Sequence, residues 1–371
     1  MTINGCATAQ GTRHYRERFK ERISDNHFRL AQDLSVSSIG IGTYLGEADE
    51  AVDARYVEAV SRAVELGANV IDTAANYRFQ RSERAIGRAL RQLIEEKGFA
   101  REELLICTKG GYLPFDNNAP TDVRRYVEET FVCTGIAQFS DFVGGSHAMT
   151  PHYLQSQLDR SLQNMQLSCI DVYYIHNPEA QLARISRAEF DERLRAAFAQ
   201  LEEMVARGKI KFYGVATWNG FRVREDARAY HSLARMCELA RETNGQEHHF
   251  RFIQLPFNLA MPEALTLRNQ TLNGKQVSLL GAASALGLTV VASASILQGE
   301  VARHSLPARI REALGALSFS AAQTAIQLVR STPGVTCALV GMSRRAHVEE
   351  NLQLTAVAPA TPENFQRLFV Q

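Results

Sequence analysis

Four residues at the ends of short apolar segments could together perform acid–base chemistry: Asp72, Tyr77, Lys109 and His176. A phenol titrates near pH 10 and gives up its proton poorly at neutral pH unless its anion is stabilised. An ammonium such as Lys109 would lower that pKa, and a carboxylate such as Asp72 would keep the lysine charged. An imidazole such as His176 would hydrogen-bond a substrate oxygen and orient it. The set therefore suits a carbonyl that gains a proton or an alcohol that loses one.

The same four residues also have a purely structural explanation. Asp72 and Lys109 would then form a buried ion pair, and Tyr77 and His176 would be polar residues with satisfied hydrogen bonds. The segments NVIDTA, LLICTKGG and IDVYYIHN, which contain Asp72, Lys109 and His176, are each typical of a short buried strand. A fully apolar core strand has no reason to end in an ionisable side chain, so three such endings favour a shared site.

Short apolar segments alternate with amphipathic segments from residue 38 onward. The predicted strands cover residues 38–44, 69–74, 104–111, 170–177, 210–217, 251–258, 288–295 and 337–342. Apolar residues at three- and four-residue spacings predict helices between them, for example over 53–68, 82–98, 151–166 and 190–209. This alternation indicates a parallel sheet covered on both faces. Eight units favour a (β/α)8 TIM barrel, although an open doubly wound sheet alternates in the same way.

Polar residues that follow the predicted strands favour the barrel, because in a barrel the carboxyl ends of the strands converge on one mouth. These residues are Asp72, Lys109, His176, Thr217, Asn258 and Ser295. We expect a single domain over residues 1–371, with an N-terminal extension over residues 1–27. The segment FRLAQDLSVSS that follows the extension has hairpin character, and we expect it to plug the bottom of the barrel.

Residues 112–150 form an insertion that is too long for an ordinary βα loop, and we expect it at the C-terminal face of the barrel. Long segments of this kind are usually functional lids or disordered, and the aromatic residues of this one argue against disorder. Two roles stay open. The insertion is either a lid that excludes water and selects the substrate, or a surface excursion or oligomer contact.

Charge and cysteine content limit the class of partner. The 41 basic and 40 acidic residues give a net charge of +1, which provides no broad basic face for nucleic acid or for a membrane. We find no signal-peptide core and no stretch of about 18 apolar residues that would span a bilayer. The six cysteines form no CxxC pair, so we expect no metal site and a reducing cytoplasm. A homo-oligomer is left open.

The segment NVIDTAANYRFQRSERAIGRAL, which contains Asp72 and Tyr77, resembles a segment of the aldo-keto reductase family. LLICTKGG resembles the lysine strand of that family, and IDVYYIHNPE resembles its histidine strand. GKIKFYGVATW, FIQLPFN and TAIQLVRSTPGVTCALVGMSRRAHVEENL follow in the family order. The resemblance implies an NADP(H)-dependent oxidoreductase that transfers a hydride between nicotinamide and an aldehyde, a ketone or a sugar-like alcohol. Tyr77 would be its general acid/base, tuned by Lys109 and Asp72, and His176 would position the carbonyl.

The resemblance also implies where the cofactor and the substrate bind. The expected cofactor contacts are Gly42, Thr43, Thr217, Gln254, Ser293, Ser295, Leu297, Gly299, Gly341, Ser343, Arg344, His347, Glu350 and Asn351. The expected substrate contacts are Tyr44, Tyr112 and Trp218. Arg344 favours NADP over NAD, because a guanidinium suits a 2′-phosphate. Spacing alone would explain residues 341–351 as a capped helix with solvated arginines, and only the resemblance favours a cofactor site there.

Three features depart from the family pattern. Ser293 stands where the seventh barrel strand usually presents an aromatic residue that stacks on the nicotinamide. Ala216-Thr217 replaces the serine–asparagine pair that holds the carboxamide, with Gln254 retained and Asn219 as a candidate for compensation. The insertion begins directly after the lysine strand. These departures keep two alternatives open: an NADP(H)-binding regulatory or sensing protein with little turnover, and a non-redox reaction in which the cofactor is recycled internally.

Overall fold

A computed structural model of the chain describes residues 2–301 and 306–368. Residues 1, 302–305 and 369–371 of the predicted domain lie outside the described residues. The strands are β1 (Phe28–Ala31), β2 (Leu34–Ser37), β3 (Ile39–Gly42), β4 (Val70–Asp72), β5 (Leu105–Gly110), β6 (Ile170–His176), β7 (Ile210–Ala216), β8 (Phe250–Pro256), β9 (Gln270–Leu272), β10 (Lys275–Val277), β11 (Thr289–Ser293) and β12 (Cys337–Gly341).

Eight of these strands close into a parallel barrel, in the spatial order β11-β12-β3-β4-β5-β6-β7-β8. Each predicted strand from residue 38 onward corresponds to one barrel strand, so the predicted TIM barrel is confirmed. The open doubly wound sheet is wrong, because β11 pairs with β8 on one side and with β12 on the other and leaves no edge. Closure brings the carboxyl ends of all eight strands to one mouth.

Helices cover the outside of the barrel. They are α1 (Ala9–Glu17), α2 (Glu50–Glu65), α3 (Arg81–Glu95), α4 (Val123–Val127), α5 (Pro151–Met165), α6 (Arg187–Ala206), α7 (Leu233–Asn244), α8 (Glu263–Thr266), α9 (Leu279–Ala285), α10 (Ala308–Ala313), α11 (Ala321–Ser331), α12 (Arg345–Asn351) and α13 (Pro362–Gln366). The four helices named from the sequence correspond to α2, α3, α5 and α6. Gly67 and Gly208 follow α2 and α6 with φ of 98° and 70°, the left-handed conformation that commonly ends a helix.

The antiparallel hairpin of β1 and β2 closes the N-terminal end of the barrel, as predicted. Leu34 and Val36 of β2 lie in one buried cluster with Val70, Leu105 and Val172 from the barrel interior. Apolar side chains therefore fill the barrel interior next to the hairpin.

A second hairpin, formed by β9 and β10, was not predicted. Asn273 and Gly274 form its turn with φ of 49° and 73°. Asn-Gly is the strongest short-range hairpin signal, so the sequence did contain the information. The flanking strands are three residues each and mostly polar, which hid them.

The insertion over residues 112–150 is folded. It contains α4, a π-helical turn over Glu128–Val132 and a 3-10 turn over Phe139–Asp141. Phe131, Phe142 and Leu113 form a small apolar cluster with Tyr153 of α5. The aromatic residues are packed together, in agreement with the expectation that the segment is ordered. The segment begins at the carboxyl end of β5, on the face of the barrel expected for it.

Asp171 in β6 joins the N-terminal segment to the barrel. Its buried carboxylate accepts hydrogen bonds from the backbone N–H groups of Ala7 at 2.5 Å and Ile106 at 2.7 Å. It also forms an ion pair with the buried guanidinium of Arg101 at 2.7 Å. One side chain therefore holds three separate parts of the chain together.

No helix within residues 2–301 and 306–368 has both the length and the apolar character that a bilayer crossing requires.

We expect Asp171→Asn to lower the free energy of unfolding by about 3–5 kcal/mol, because it leaves the buried Arg101 cation without a counter-ion. Urea unfolding followed by circular dichroism measures the change. Glu129→Gln, which removes an exposed ion pair with Arg125, is the control and should leave the midpoint of unfolding in place. Equal midpoints for the two variants would contradict the role given to Asp171.

Candidate active site

A cavity of about 920 Å³ opens at the carboxyl ends of the barrel strands. Most residues predicted for the site lie in its wall. They are Gly42, Thr43, Tyr44, Asp72, Tyr77, Tyr112, His176, Thr217, Trp218, Gln254, Ser293, Ser295, Gly299, Gly341, Ser343, His347, Glu350 and Asn351. They come from nearly every barrel strand or the loop after it, so barrel closure is what brings them together.

Three predicted residues do not line the cavity. Lys109 lies beneath the wall and is 1% exposed, but it contacts residues that do line it. Leu297 lies between Ile296 and Gln298, which are lining residues, and is not one itself. Arg344 is exposed and follows the lining residue Ser343. Neighbouring residues in a loop can face in different directions. Their spacing in the sequence does not show which of them faces the cavity.

The centre of the site is a buried ion pair between Lys109 and Asp72. The Nζ atom of Lys109 lies 2.5 Å from Oδ1 of Asp72 and donates to the backbone oxygen of Thr73 at 2.7 Å. Gln254 in β8 donates from Nε2 to Oδ2 of Asp72 at 2.8 Å. Burial raises the pKa of Asp72, and the lysine and the amide oppose that shift without cancelling it. Burial lowers the pKa of Lys109, but the nearby Asp72 and Tyr77 together outweigh it, so the net pKa of Lys109 is raised and the lysine is charged.

Tyr77 lies directly against this pair. The Lys109 ammonium is 5.0 Å from the centre of the phenol ring. Burial is the largest influence on the pKa of Tyr77 and raises it, while Lys109 lowers it and Asp72 raises it. The net pKa of Tyr77 is above its ordinary value. The expected lowering of the Tyr77 pKa is therefore wrong as a net result. Lys109 does lower this pKa, but burial and Asp72 raise it further.

His176 stands beside Tyr77, with ring centres 5.9 Å apart and nearly perpendicular planes. Burial, with Lys109 second, lowers the pKa of His176 well below its usual range, so the imidazole is neutral at physiological pH. Its Nδ1 atom is buried and has no hydrogen-bond partner among the residues that the structure describes. Tyr112 packs its ring edge-on against the same imidazole at 5.1 Å. Neighbouring rings, rather than a hydrogen bond at Nδ1, hold the side chain.

The cavity wall also contains residues that were not predicted. They are Leu45, Tyr56, Asn76, Asn177, Ala216, Ala294, Ile296, Gln298, Ser320, Ala321, Ala322 and Leu339. Asn76 and Asn177 directly adjoin Tyr77 and His176, and that adjacency was an available signal. No motif marked Ser320 or the start of α11, because only the fold brings that helix to the cavity.

Two further polar residues considered from the sequence do not line the cavity. Asn258 donates from Nδ2 to the backbone oxygen of Ala294 at 2.9 Å and ties the end of β8 to the end of β11. Asn219 is exposed, and its backbone N–H donates to the Glu179 carboxylate at 2.9 Å. Thr217 and Ser293 do line the cavity, as expected.

The sequence profile of the aldo/keto reductase family matches residues 38–369. The chain belongs to the aldo/keto reductase family. This family member is 24% identical over 349 residues to a voltage-gated potassium channel subunit beta of Schizosaccharomyces pombe, covering 90% of this chain and 89% of that protein. It is 27% identical over 171 residues to the aldo-keto reductase yakc [NADP(+)] of the same organism, covering 46% of this chain and 39% of that one.

Solved structures of the family share the fold. An aldo-keto reductase from Bacillus halodurans in its holo form has a TM-score of 0.63 at 19% identity and covers 94% of this chain and 95% of that one. An aldo-keto reductase from Klebsiella pneumoniae in complex with NADPH has a TM-score of 0.61 at 20% identity, with coverage of 93% and 94%. These similarities establish the barrel architecture of this aldo/keto reductase family member.

We expect Lys109→Met to destabilise the protein by about 3–5 kcal/mol, because the Asp72 carboxylate is left buried without its partner. Adding Asp72→Asn to that variant should recover most of the loss, since the uncompensated charge is then removed. Chemical denaturation of the two single variants and the double variant measures this coupling. Additive losses would show that the two side chains do not depend on each other.

Proposed function

We propose that this protein binds NADP(H) and transfers a hydride between the nicotinamide and a carbonyl or alcohol substrate, with Tyr77 as the general acid/base. The observation that carries the proposal is the Lys109 ammonium, paired with Asp72 and placed against the phenol ring of Tyr77 in the wall of a large cavity. The substrate is a small aldehyde, ketone or sugar-like molecule. A reducing cytoplasmic location, in keeping with six free cysteines, belongs to the same proposal.

Residues at the other end of the cavity fit a dinucleotide. The Oδ1 atom of Asn351 is buried, unpartnered within the described part of the chain, and belongs to a lining residue, so it would accept from an amino group such as that of adenine. Ala321 and Ala322 line the cavity at the first turn of α11, where backbone N–H groups attract phosphate. A Cβ atom added to Gly341 would meet nothing closer than Leu45 at 3.8 Å, so the strand end leaves room for a ligand.

NADP(H), when bound, supplies or accepts the hydride. Tyr77 donates its phenolic proton to the carbonyl oxygen as that oxygen gains negative charge, and takes the proton back in the reverse direction. The Lys109 ammonium stabilises the phenolate that results, and Asp72 keeps the ammonium charged. Because burial holds the pKa of Tyr77 above its ordinary value, the phenol is protonated at neutral pH and is ready to act as an acid.

His176 orients the substrate in this proposal. Its imidazole is neutral, lines the cavity beside Tyr77, and can therefore share a hydrogen bond with the same substrate oxygen. Tyr44, Tyr112 and Trp218 supply aromatic walls around that point. These rings would exclude water from the reacting carbonyl.

We expect Tyr77→Phe to bind NADPH as the wild type does and to lose roughly 10²- to 10⁴-fold in kcat/KM, because only the proton donor is removed. NADPH fluorescence measures binding, and NADPH absorbance at steady state measures turnover of an aldehyde. Leu30→Ala, at an exposed position of the hairpin that closes the far end of the barrel, is the control. Turnover by Tyr77→Phe equal to that of the wild type would remove Tyr77 as the acid.

We expect the two reaction directions to depend on pH in opposite ways. Reduction needs the protonated phenol, and because the pKa of Tyr77 is raised, its rate should hold through neutral pH and fall only above about pH 10. Alcohol oxidation needs the phenolate, so its kcat/KM should rise with pH without a plateau below about pH 10. Initial rates in both directions from pH 6 to about pH 11 test this sign. An oxidation plateau near neutral pH would contradict it.

A second candidate function is an NADP(H)-binding regulatory protein with little turnover. Ser293 lines the cavity where an aromatic residue would otherwise stack, and the relative that matches over 349 residues is named as a channel subunit. NADPH that stays bound and unoxidised against a broad panel of aldehydes, ketones and sugars would favour this candidate. Product that forms without a net change in NADPH absorbance would instead indicate internal recycling of the cofactor.

A further inference from the structure

The last residues of the insertion return to the edge of the site. The N–H of Leu113 donates to the oxygen of Ser146 at 2.7 Å, and the N–H of Ala148 donates to the oxygen of Gly111 at 2.9 Å. These bonds place Tyr112 and His147 opposite each other in a short antiparallel bridge. The insertion is thereby attached to the end of β5, next to the end of β6.

The side chain of His147 connects this bridge to His176. Its Nε2 atom lies 2.7 Å from the backbone oxygen of His176, and its Nδ1 atom lies 2.9 Å from Nε2 of Gln181. A carbonyl oxygen only accepts and an amide nitrogen only donates, so these partners assign the proton to Nε2 and the lone pair to Nδ1. His147 is fully buried, and burial lowers its pKa to about 4, which keeps this neutral form in place. Gln181 is itself held by Arg193 at 2.7 Å.

Gly111 makes this contact sterically feasible. It has a φ of +133°, and a Cβ atom there would lie 2.9 Å from Nε2 of His147 and 3.2 Å from the oxygen of His176. A side chain at position 111 would therefore occupy the space between the two hydrogen-bonded atoms. The absence of a side chain at Gly111, the second glycine of LLICTKGG, thus leaves the space in which His147 contacts the end of β6.

The backbone next to His176 is held from two sides. The next residue, Asn177, has a left-handed conformation with φ of 46° and ψ of 59°, which asparagine adopts more readily than most residues other than glycine. Its N–H donates to the oxygen of Ala216 in β7 at 2.6 Å. His147 provides the matching hydrogen bond on the opposite side of the chain, at the oxygen of His176. Two hydrogen bonds, one from the barrel and one from the insertion, therefore fix this turn.

Ring packing completes the arrangement. Tyr112 lies edge-on to both imidazoles, 5.1 Å from the ring centre of His147 and 5.1 Å from that of His176. Because Nδ1 of His176 has no hydrogen-bond partner in the described residues, the direction of its ring depends on its backbone and on the rings of Tyr112 and Tyr77. His147 contacts the backbone of His176 and the ring of Tyr112.

We propose that His147 is a positioning residue that fixes the catalytic imidazole of His176 through its backbone oxygen and through the ring of Tyr112. This inference rests on the proposed function, since it takes His176 as the group that orients the substrate. It assigns the insertion a role that differs from a lid and from a surface excursion. Of the insertion residues, Tyr112 lines the cavity. His147 contacts the backbone of His176 from outside the cavity.

The test compares three variants of the full chain. His147→Phe keeps a ring against Tyr112 but removes the donor to His176, and His147→Gln keeps an amide donor. Tyr126→Phe is the matched control, because it removes a hydrogen bond inside the insertion, from Tyr126 to the oxygen of Pro114 at 2.8 Å, without touching His176. We expect His147→Phe to lower kcat by roughly 10- to 100-fold through misplacement of the imidazole, with NADPH affinity unchanged. His147→Gln should recover part of kcat, and Tyr126→Phe should retain it.

A double-mutant cycle separates positioning from general damage. In a His176→Asn background, His147→Phe should cost no further activity, because the group it positions is already absent. The same loss of kcat in both backgrounds, or an equal loss in Tyr126→Phe, would overturn the proposal.

A readout without turnover distinguishes this inference from the proposed function. In histidine-labelled protein, the ¹⁵N resonances of the His176 imidazole should shift or broaden in His147→Phe and stay unchanged in Tyr126→Phe. If the wild type reduces no carbonyl compound, the proposed function fails, and the resonances still decide whether His147 holds His176. If the His176 resonances are unchanged in His147→Phe, the positioning role of His147 is wrong, regardless of the activity of the variant.

Discussion

The buried ion pair of Lys109 and Asp72 is the constraint on which the site depends. Removing two charges from water costs several kcal/mol per ion, and their attraction offsets this only when the geometry is good and the remaining hydrogen bonds are made. The pair meets both conditions, because Thr73 and Gln254 complete its hydrogen bonds. Its members and partners belong to β4, β5 and β8 and the residues that follow them. The barrel therefore has to close with these three strands at a common depth.

The two ends of the barrel differ in the side chains they contain. The hairpin packs apolar side chains against the barrel interior at one end, and the polar side chains of the Lys109–Asp72 pair and the cavity wall lie at the other. The burial that makes the Lys109–Asp72 attraction strong also disfavours the phenolate of Tyr77. The same environment thus keeps Tyr77 protonated and places a cation beside it. The proposed role of Tyr77 as the acid in a reduction requires both properties.

The insertion contributes one residue, Tyr112, to the cavity wall and contacts the site from outside the cavity through His147. It has its own small apolar cluster and is attached to β5 through backbone hydrogen bonds. Only its first residue, Tyr112, lines the cavity among the insertion residues, yet His147 contacts the backbone of His176. The contact lies directly before Asn177, whose backbone is left-handed.

The sequence by itself determined the eight barrel strands, the main helices, the closing hairpin and the tetrad at the strand ends, because hydrophobic periodicity and strand-end polarity are local properties. The tertiary structure alone decided the net direction of the Tyr77 pKa, since burial and charge act on it through space from several elements. It also showed that Arg344 does not line the cavity and that the first residues of α11 do. The contact of His147 with His176 needed the fold as well, because the two residues lie 29 positions apart. The sequences around His147 and His176 do not indicate this contact. Gly111, which leaves space for it, lies in a third segment of the chain.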